Sequence, residues 1–256
     1  MLPGMVRALV RRPGPRLADG LLTHLDRVPV NVELAGRQWR DYVAALAAEG
    51  WEVHEVPPAD ECPDAVFVED TVVVHDDLAV ITRPGADERR PETAATEASL
   101  RSLGYRIAHI QAPGTLDGGD VLRVGKTVWV GLSGRTNRAG ADQLAALLTP
   151  AGLEVQPVPV RAVLHLKSAV TALPDGTVLG HPPLVDDPAV WSTFLAVPEE
   201  SGAHVVRLAE DAVLMAADAP RTRALLAERG LRVVAVDISE FIKLEGCVTC
   251  LSVRLR

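Results

Sequence analysis

The run Val66-Phe67-Val68-Glu69-Asp70-Thr71-Val72-Val73-Val74, the triplet His75-Asp76-Asp77 and the run Leu78-Ala79-Val80-Ile81-Thr82 decide how this chain is read. Two segments rich in β-branched residues around a polar break predict a hairpin. Arg83-Pro84-Gly85 stops its second strand. From Glu92 to Leu103 apolar residues fall at helical spacing, Gly104 follows as a helix-ending glycine, and Arg106 to Ala112 returns to strand. The unit is hairpin, helix, strand.

Working outward, the same order recurs from Asp120. Strands are expected near Asp120 to Val124 and Thr127 to Leu132, a helix over Ala139 to Leu148 and a strand over Glu154 to Val160. A third copy has Ser168 to Leu173, Thr177 to Leu179, a weaker helix near Pro188 to Leu195 and a strand over His204 to Leu208. A fourth is abbreviated: Ala212 to Ala216, a helix from Arg221 to Glu228 and a strand over Leu231 to Val236. The C-terminal run Val248 to Arg254 joins the N-terminal pieces Met5 to Val10, Val32 to Ala48 and Glu52 to Val56 to make a fifth. A ring closed by its own termini leaves no exposed end unit, so the expected architecture is α/β and propeller-like. An ordinary α/β domain with such units but no symmetry is the alternative.

The chain has 256 residues, a net charge of −8 and three cysteines. That length can bury a sizeable core, and the charge, with no Lys/Arg-rich block, gives no footing for nucleic acid or an anionic membrane. A small or cationic partner fits better. No apolar run approaches the ~20 residues of a membrane span, and Met1 to Val10 is too short and broken for a signal peptide, so a cytoplasmic protein is expected. Three cysteines are too few for a disulfide framework.

Asp70, Asp117, His165, Asp211 and Cys250 fall at matching points of the repeat, roughly 40 to 50 residues apart. Cys250 is a core thiol or a nucleophile, the latter needing a nearby cation to hold a thiolate. His165, between two leucines, is a packed residue or a general acid-base group. Asp117-Gly118-Gly119-Asp120 is a turn that also suits a carboxylate orienting an imidazole. In Phe67-Val68-Glu69-Asp70-Thr71 at least one carboxylate must face inward, and a guanidinium is its natural partner. Arg89 and Arg135, between a second strand and a helix, are solvated charges or anchors for a carboxylate. Cys247-Val248-Thr249-Cys250 is a C-x-x-C, a weak redox or zinc signal without further ligands.

The stretches Cys62 to Asp70, Ile81 to Gly85, Leu116 to Leu122, Gly131 to Asn137, Leu164 to Ser168 and Thr249-Cys250 together resemble the dimethylarginine dimethylaminohydrolase family, in the guanidino-group-modifying superfamily with the five-bladed α/β propeller, or pentein, fold. The resemblance spans most of the chain. It implies one catalytic α/β-propeller domain over 1–256, as monomer or homodimer, and hydrolysis of N-methylated L-arginine to L-citrulline and dimethylamine or methylamine through a covalent cysteine thiouronium. By the same resemblance Cys250 is the nucleophile, His165 the proton-transferring residue and Asp117 its orienting carboxylate. Asp64, Glu69 and Asp70 form an acidic cluster, with Glu69 and Asp70 gripping the guanidinium. Arg89 and Arg135 hold the α-carboxylate, and Leu22 and the backbone of Leu244 line the pocket. No metal or organic cofactor is expected. An arginine deiminase-like or other amidine hydrolase is the alternative within the superfamily, and a non-catalytic binding module the alternative outside it. The chain departs from the family at Cys247, at Glu245 in place of an aspartate, and in the shortened fourth unit.

Overall fold

The computed structural model describes residues 6–255. In chain order these form β1 (Arg7–Val10), α1 (Val32–Ala48), β2 (Glu52–Glu55), β3 (Val72–His75), β4 (Leu78–Ile81), α2 (Thr93–Ser102) and β5 (Arg106–His109). Next come β6 (Val121–Val124), β7 (Thr127–Leu132), α3 (Arg138–Leu148), β8 (Glu154–Pro159), α4 (Leu166–Ala169), β9 (Val170–Ala172), β10 (Val178–Gly180) and β11 (Phe194–Ala196). The last are β12 (Val205–Arg207), β13 (Ala212–Ala216), α5 (Pro220–Glu228), β14 (Arg232–Val236), α6 (Ser239–Ile242) and β15 (Val253–Leu255). They build five three-stranded sheets, β15-β1-β2, β3-β4-β5, β6-β7-β8, β9-β10-β11 and β12-β13-β14. Each has one antiparallel and one parallel pairing, as a hairpin and a crossover require. This is the five-unit α/β propeller.

The ring closes through its ends. β1 runs antiparallel to β15, with Arg7 opposite Leu255 and Leu9 opposite Val253, and parallel to β2. Met5, included in the expected first strand, lies outside the described residues. Helix α1 starts where the Asn31 side chain accepts the Leu34 N–H at 3.0 Å. Its buried residues Ala35, Trp39, Tyr42 and Leu46 recur at helical spacing and pack with the strands and C-terminal turn of the closing blade. Asn137 caps α3 in the same way, accepting the Gly140 N–H at 2.8 Å.

Blades three and four differ from the expectation. Val205–Arg207 does not end the third unit: it is β12, paired antiparallel with β13. The fourth hairpin is therefore complete, and Asp211 sits exposed in its turn, away from the other repeat residues. The third unit instead lacks its helix, since Pro182, Pro183 and Pro188 limit this stretch to short 3-10 turns. Its crossover strand is β11, which overlaps the end of the span expected to be helical at Phe194 and Leu195. Val66–Thr71 also departs from strand and ends in a 3-10 turn over Val68–Thr71. Among the described residues no helix is long and apolar enough to cross a membrane.

The first strands of the five sheets face the ring axis and line a channel of about 440 Å³. Residues just before these strands, including Asp70, His165 and Cys250, border a second cavity, and Asp117 lies directly behind it.

Candidate active site

Asp117 starts the arrangement. Gly118 and Gly119 follow because nothing larger fits: a Cβ on Gly118 would lie 2.0 Å from the Glu69 carbonyl oxygen, and one on Gly119 would lie 2.7 Å from both Asp70 Oδ1 and His165 Nδ1. The tight corner lets the Gly119 N–H donate to Asp70 Oδ1 at 2.8 Å. Asp117 then reaches His165, with Oδ2 3.0 Å from Nε2, while its Oδ1 accepts the Gly85 N–H at 2.9 Å. His165 Nδ1 is 3.9 Å from Asp70 Oδ1. Burial opposes charge on His165, but Asp70, the bond from Asp117 and the nearby Asp120 outweigh it and raise the imidazolium to about 9. Burial likewise opposes charge on Asp70, yet His165 and Arg89 hold it well below the usual carboxylate range.

Leu21, Asp64, Phe67, Asp70, Arg89, Arg135, Leu164, His165, Leu244, Glu245, Gly246 and Cys250 line one narrow cavity. Its clear space is about 20 Å³, room for a water or two. The N-terminal loop lies over it. Asp64 Oδ2 accepts the Leu21 N–H at 3.0 Å, and the Glu245 carboxylate accepts the N–H groups of Thr23, His24 and Leu25. Burial pushes Asp64 up against the pull of Arg89. Cys250 is buried with its Sγ 3.2 Å from that of Cys247. Its thiol is pushed well up, first by that contact, then by burial and the negative charge of Cys247, Glu69 and Asp70.

The two arginines have different surroundings. Arg89 Nη1 donates to Asp70 Oδ2 at 2.5 Å, Nη2 and Nε bind Glu92, and Nη2 also donates to the carbonyls of Asp64 and Phe67 in the irregular 62–71 segment. Arg89 is thus consumed as a brace for Asp70, which differs from its expected role on a ligand carboxylate. Arg135 Nη1 is 3.6 Å from Asp117 Oδ2 and, although buried, has no hydrogen-bond partner among the described residues. It can take a new acceptor.

Glu69 and Leu22 also differ from their expected places. Glu69 points away from the cavity into the axial channel, where Oε1 meets Lys167 Nζ at 2.6 Å and Arg254 Nη2 at 2.5 Å. Successive side chains of this 3-10 turn diverge by about 120°, so Asp70 faces the cavity while Glu69 faces the channel and does not grip the same ligand. Leu22 packs against the hydrophobic core, and its neighbour Leu21 lines the cavity instead.

Ligand atoms of Asp70, Asp117 and His165 lie within 4.8 Å of one another, a spacing a metal ion could use. The imidazolium, Arg89 and Arg135 already supply positive charge there, so the donor set is poorly suited to a further cation.

A model of the arginine deiminase family matches residues 47–210. A dimethylarginine dimethylaminohydrolase of Streptomyces coelicolor is 62% identical over 250 residues, covering 98% of this chain and 97% of that protein. The chain belongs to the dimethylarginine dimethylaminohydrolase family. The structure of the dimethylarginine dimethylaminohydrolase of Pseudomonas aeruginosa, a cysteine-to-serine mutant complexed with citrulline, superposes with a TM-score of 0.91 at 35% identity, over 97% of this chain and 98% of that one. A dimethylarginine dimethylaminohydrolase adduct with S-methyl-L-thiocitrulline gives 0.90 at 35% identity, over 97% and 99%.

Within this dimethylarginine dimethylaminohydrolase framework, several residues at the site carry no strong signal in the sequence. Asp120 accepts the Leu166 N–H at 2.9 Å and the hydroxyls of Ser133 and Thr136, each at 2.7 Å, and so fixes the segment bearing His165. Burial pushes its carboxyl up to about 6. It belongs to the quoted Asp-Gly-Gly-Asp motif, which read as a turn. Glu92 and Leu21 had no motif to mark them. Replacing Glu245 with Gln is expected to weaken the three loop N–H bonds and raise KM about 5-fold with kcat nearly unchanged, since charge-assisted bonds exceed neutral ones; steady-state kinetics with a methylated arginine check this.

Proposed function

We propose that the whole chain, 1–256, acts as one catalytic unit that hydrolyses N-methylated L-arginine to L-citrulline and the corresponding methylamine. The observation carrying this is the convergence of Cys250, the Asp117-His165 pair and the carboxylates Asp64 and Asp70 on one buried cavity. A cationic guanidinium offsets the negative field that holds the proton on Cys250, and the thiolate forms beside it as the proton passes to water. The thiolate attacks the guanidinium carbon, and the resulting tetrahedral adduct expels the amine as His165 donates its proton. His165, now neutral, takes a proton from water attacking the thiouronium, and citrulline leaves as Cys250 is regenerated. Asp70 and Asp64 bind the guanidinium, Arg135 binds the α-carboxylate, and Leu21 and Leu244 close over the aliphatic stem. Arg89 keeps Asp70 ionised. Entry of so large a ligand requires the loop over Arg11 to Pro29 to shift.

Release of ammonia from unmethylated arginine is a second reading, favoured by the arginine deiminase model. Incubation with arginine, monomethylarginine and asymmetric dimethylarginine, with the released amine identified, separates the two. Dimethylamine or methylamine is expected. Ammonia alone would overturn the first reading.

His165 acts first as an acid, so kcat/KM is expected to fall as pH rises through about 9. The bond from Asp117 raises that limit, and Asp117→Asn is therefore expected to move the alkaline limb to lower pH. It should also reduce kcat on the order of 10²-fold. A pH–rate profile of the variant tests the sign: an unmoved limb removes His165 from the acid role.

A further inference from the structure

Cys247 has no part in amidine hydrolysis as described, yet the fold places it against the nucleophile. The Cys250 N–H donates to the Cys247 carbonyl at 3.1 Å, closing a β-turn with cysteines at its first and last positions. Such turns bring the end Cα atoms within about 7 Å, and a disulfide spans about 4.4 to 6.8 Å. The side chains point together, with Sγ atoms 3.2 Å apart and the Cys247 N–H 3.4 Å from Cys250 Sγ. Cys250 borders the cavity, whereas Cys247 is packed behind it in the apolar core beside Leu244 and Val248. An oxidant entering by the substrate's route meets Cys250 first. The hydrogen bond from Cys250 lowers Cys247 to about 5, so at neutral pH the pair holds one thiolate and one thiol.

We propose that Cys247 is a resolving thiol that makes the nucleophile a site of reversible oxidative modification by a hydroperoxide. The Cys250 proton passes to Cys247 across their 3.2 Å contact, the Cys250 thiolate attacks one peroxide oxygen, the O–O bond breaks, sulfur loses two electrons, and the departing hydroxide takes the proton back from Cys247 to become water. A sulfenic acid remains on Cys250. The Cys247 thiolate then attacks the Cys250 sulfur, the S–O bond breaks, hydroxide leaves and takes up a proton as water, and the Cys247–Cys250 disulfide forms. Two thiols and one hydroperoxide (here hydrogen peroxide) give one disulfide and two waters. The sulfurs must close from 3.2 Å to about 2.05 Å, a small side-chain rotation within an existing turn. The disulfide stops turnover and keeps Cys250 from irreversible oxidation; its effect on activity rests on Cys250 being the nucleophile, and its formation does not.

The test treats the reduced full-length protein with hydrogen peroxide, removes the excess with catalase, and reads peptide masses and amine release before and after dithiothreitol. In the wild type, the peptide holding both cysteines is expected to lose about 2 Da. Activity should fall at least about 10-fold and return with dithiothreitol. Cys62, whose thiol burial pushes up, serves as the internal control and should remain alkylatable. Cys247→Ser and Cys247→Ala lack the resolving thiol and under excess peroxide should instead gain two or three oxygens at Cys250, as sulfinic or sulfonic acid, and lose activity that dithiothreitol does not restore. Oxygen addition in the wild type without the 2 Da loss overturns the proposal, as does full recovery in both variants. A disulfide that forms while activity persists supports the thiol pairing and overturns the nucleophile assignment.

Discussion

Cys250→Ser is expected to reduce turnover by at least about 10⁴-fold while leaving binding of a methylated arginine measurable, because the site is built for a thiol and has no means to activate an alcohol. A serine hydroxyl needs a neutral base within reach, whereas His165 is held as imidazolium up to about 9 by Asp70, Asp117 and Asp120 against burial. The same charge that suits His165 to protonate a departing amine disqualifies it as the base for serine. A thiol is acidic enough for a neighbouring guanidinium to stabilise its anion while the proton passes to water. Binding should persist because Asp64, Asp70 and Arg135 are untouched. Calorimetric titration with asymmetric dimethylarginine, beside an amine-release assay, reads both halves. Measurable turnover by the serine variant would remove Cys250 from the covalent step.

The sequence carries the ring because each unit repeats the same local instructions. Strand runs break at polar turns, Asn31 and Asn137 cap helices, and Gly104 ends one with φ +87°. It fails where tertiary contacts override local pattern. Val66 to Thr71 has strand composition, yet Arg89, a distant residue, takes the carbonyls of Asp64 and Phe67 and makes an irregular turn the better solution. In the third blade a strand pairs where helical spacing was read, because β10 offers Phe194–Ala196 a parallel edge. Of the site, composition shows that Glu69 and Asp70 need partners, but the direction of each side chain depends on the turn. Asp70 meets Arg89, whereas Glu69 meets Lys167 and Arg254 across the channel. Arg89 and Arg135 are indistinguishable by position relative to strand and helix. Only their neighbours separate them.

That separation makes a second strong prediction, in which the two arginines fail in different ways. Arg89→Met leaves Asp70 and Glu92 buried without their cation, and breaking a buried pair on one side costs about 3 to 5 kcal/mol. For a chain of this size each kcal/mol corresponds to roughly 2 to 4 °C in Tm, so a fall on the order of 10 °C is expected. The sign with pH follows from Asp70, whose carboxyl is held below its ordinary value. Its contribution is present above the unfolded pKa of about 3.9 and is lost as pH falls toward the lower folded value, so the wild-type advantage should shrink in acid. Arg135→Met removes a guanidinium with only a 3.6 Å approach to Asp117 and no hydrogen bond through Nη1. It is expected to shift Tm little while raising KM on the order of 10²-fold for substrates with an α-carboxylate, but not for agmatine, which lacks one. Thermal unfolding and kinetics on both variants decide the matter: equal losses of stability, or a KM effect of Arg135→Met that is the same for agmatine, would return the two residues to a shared role.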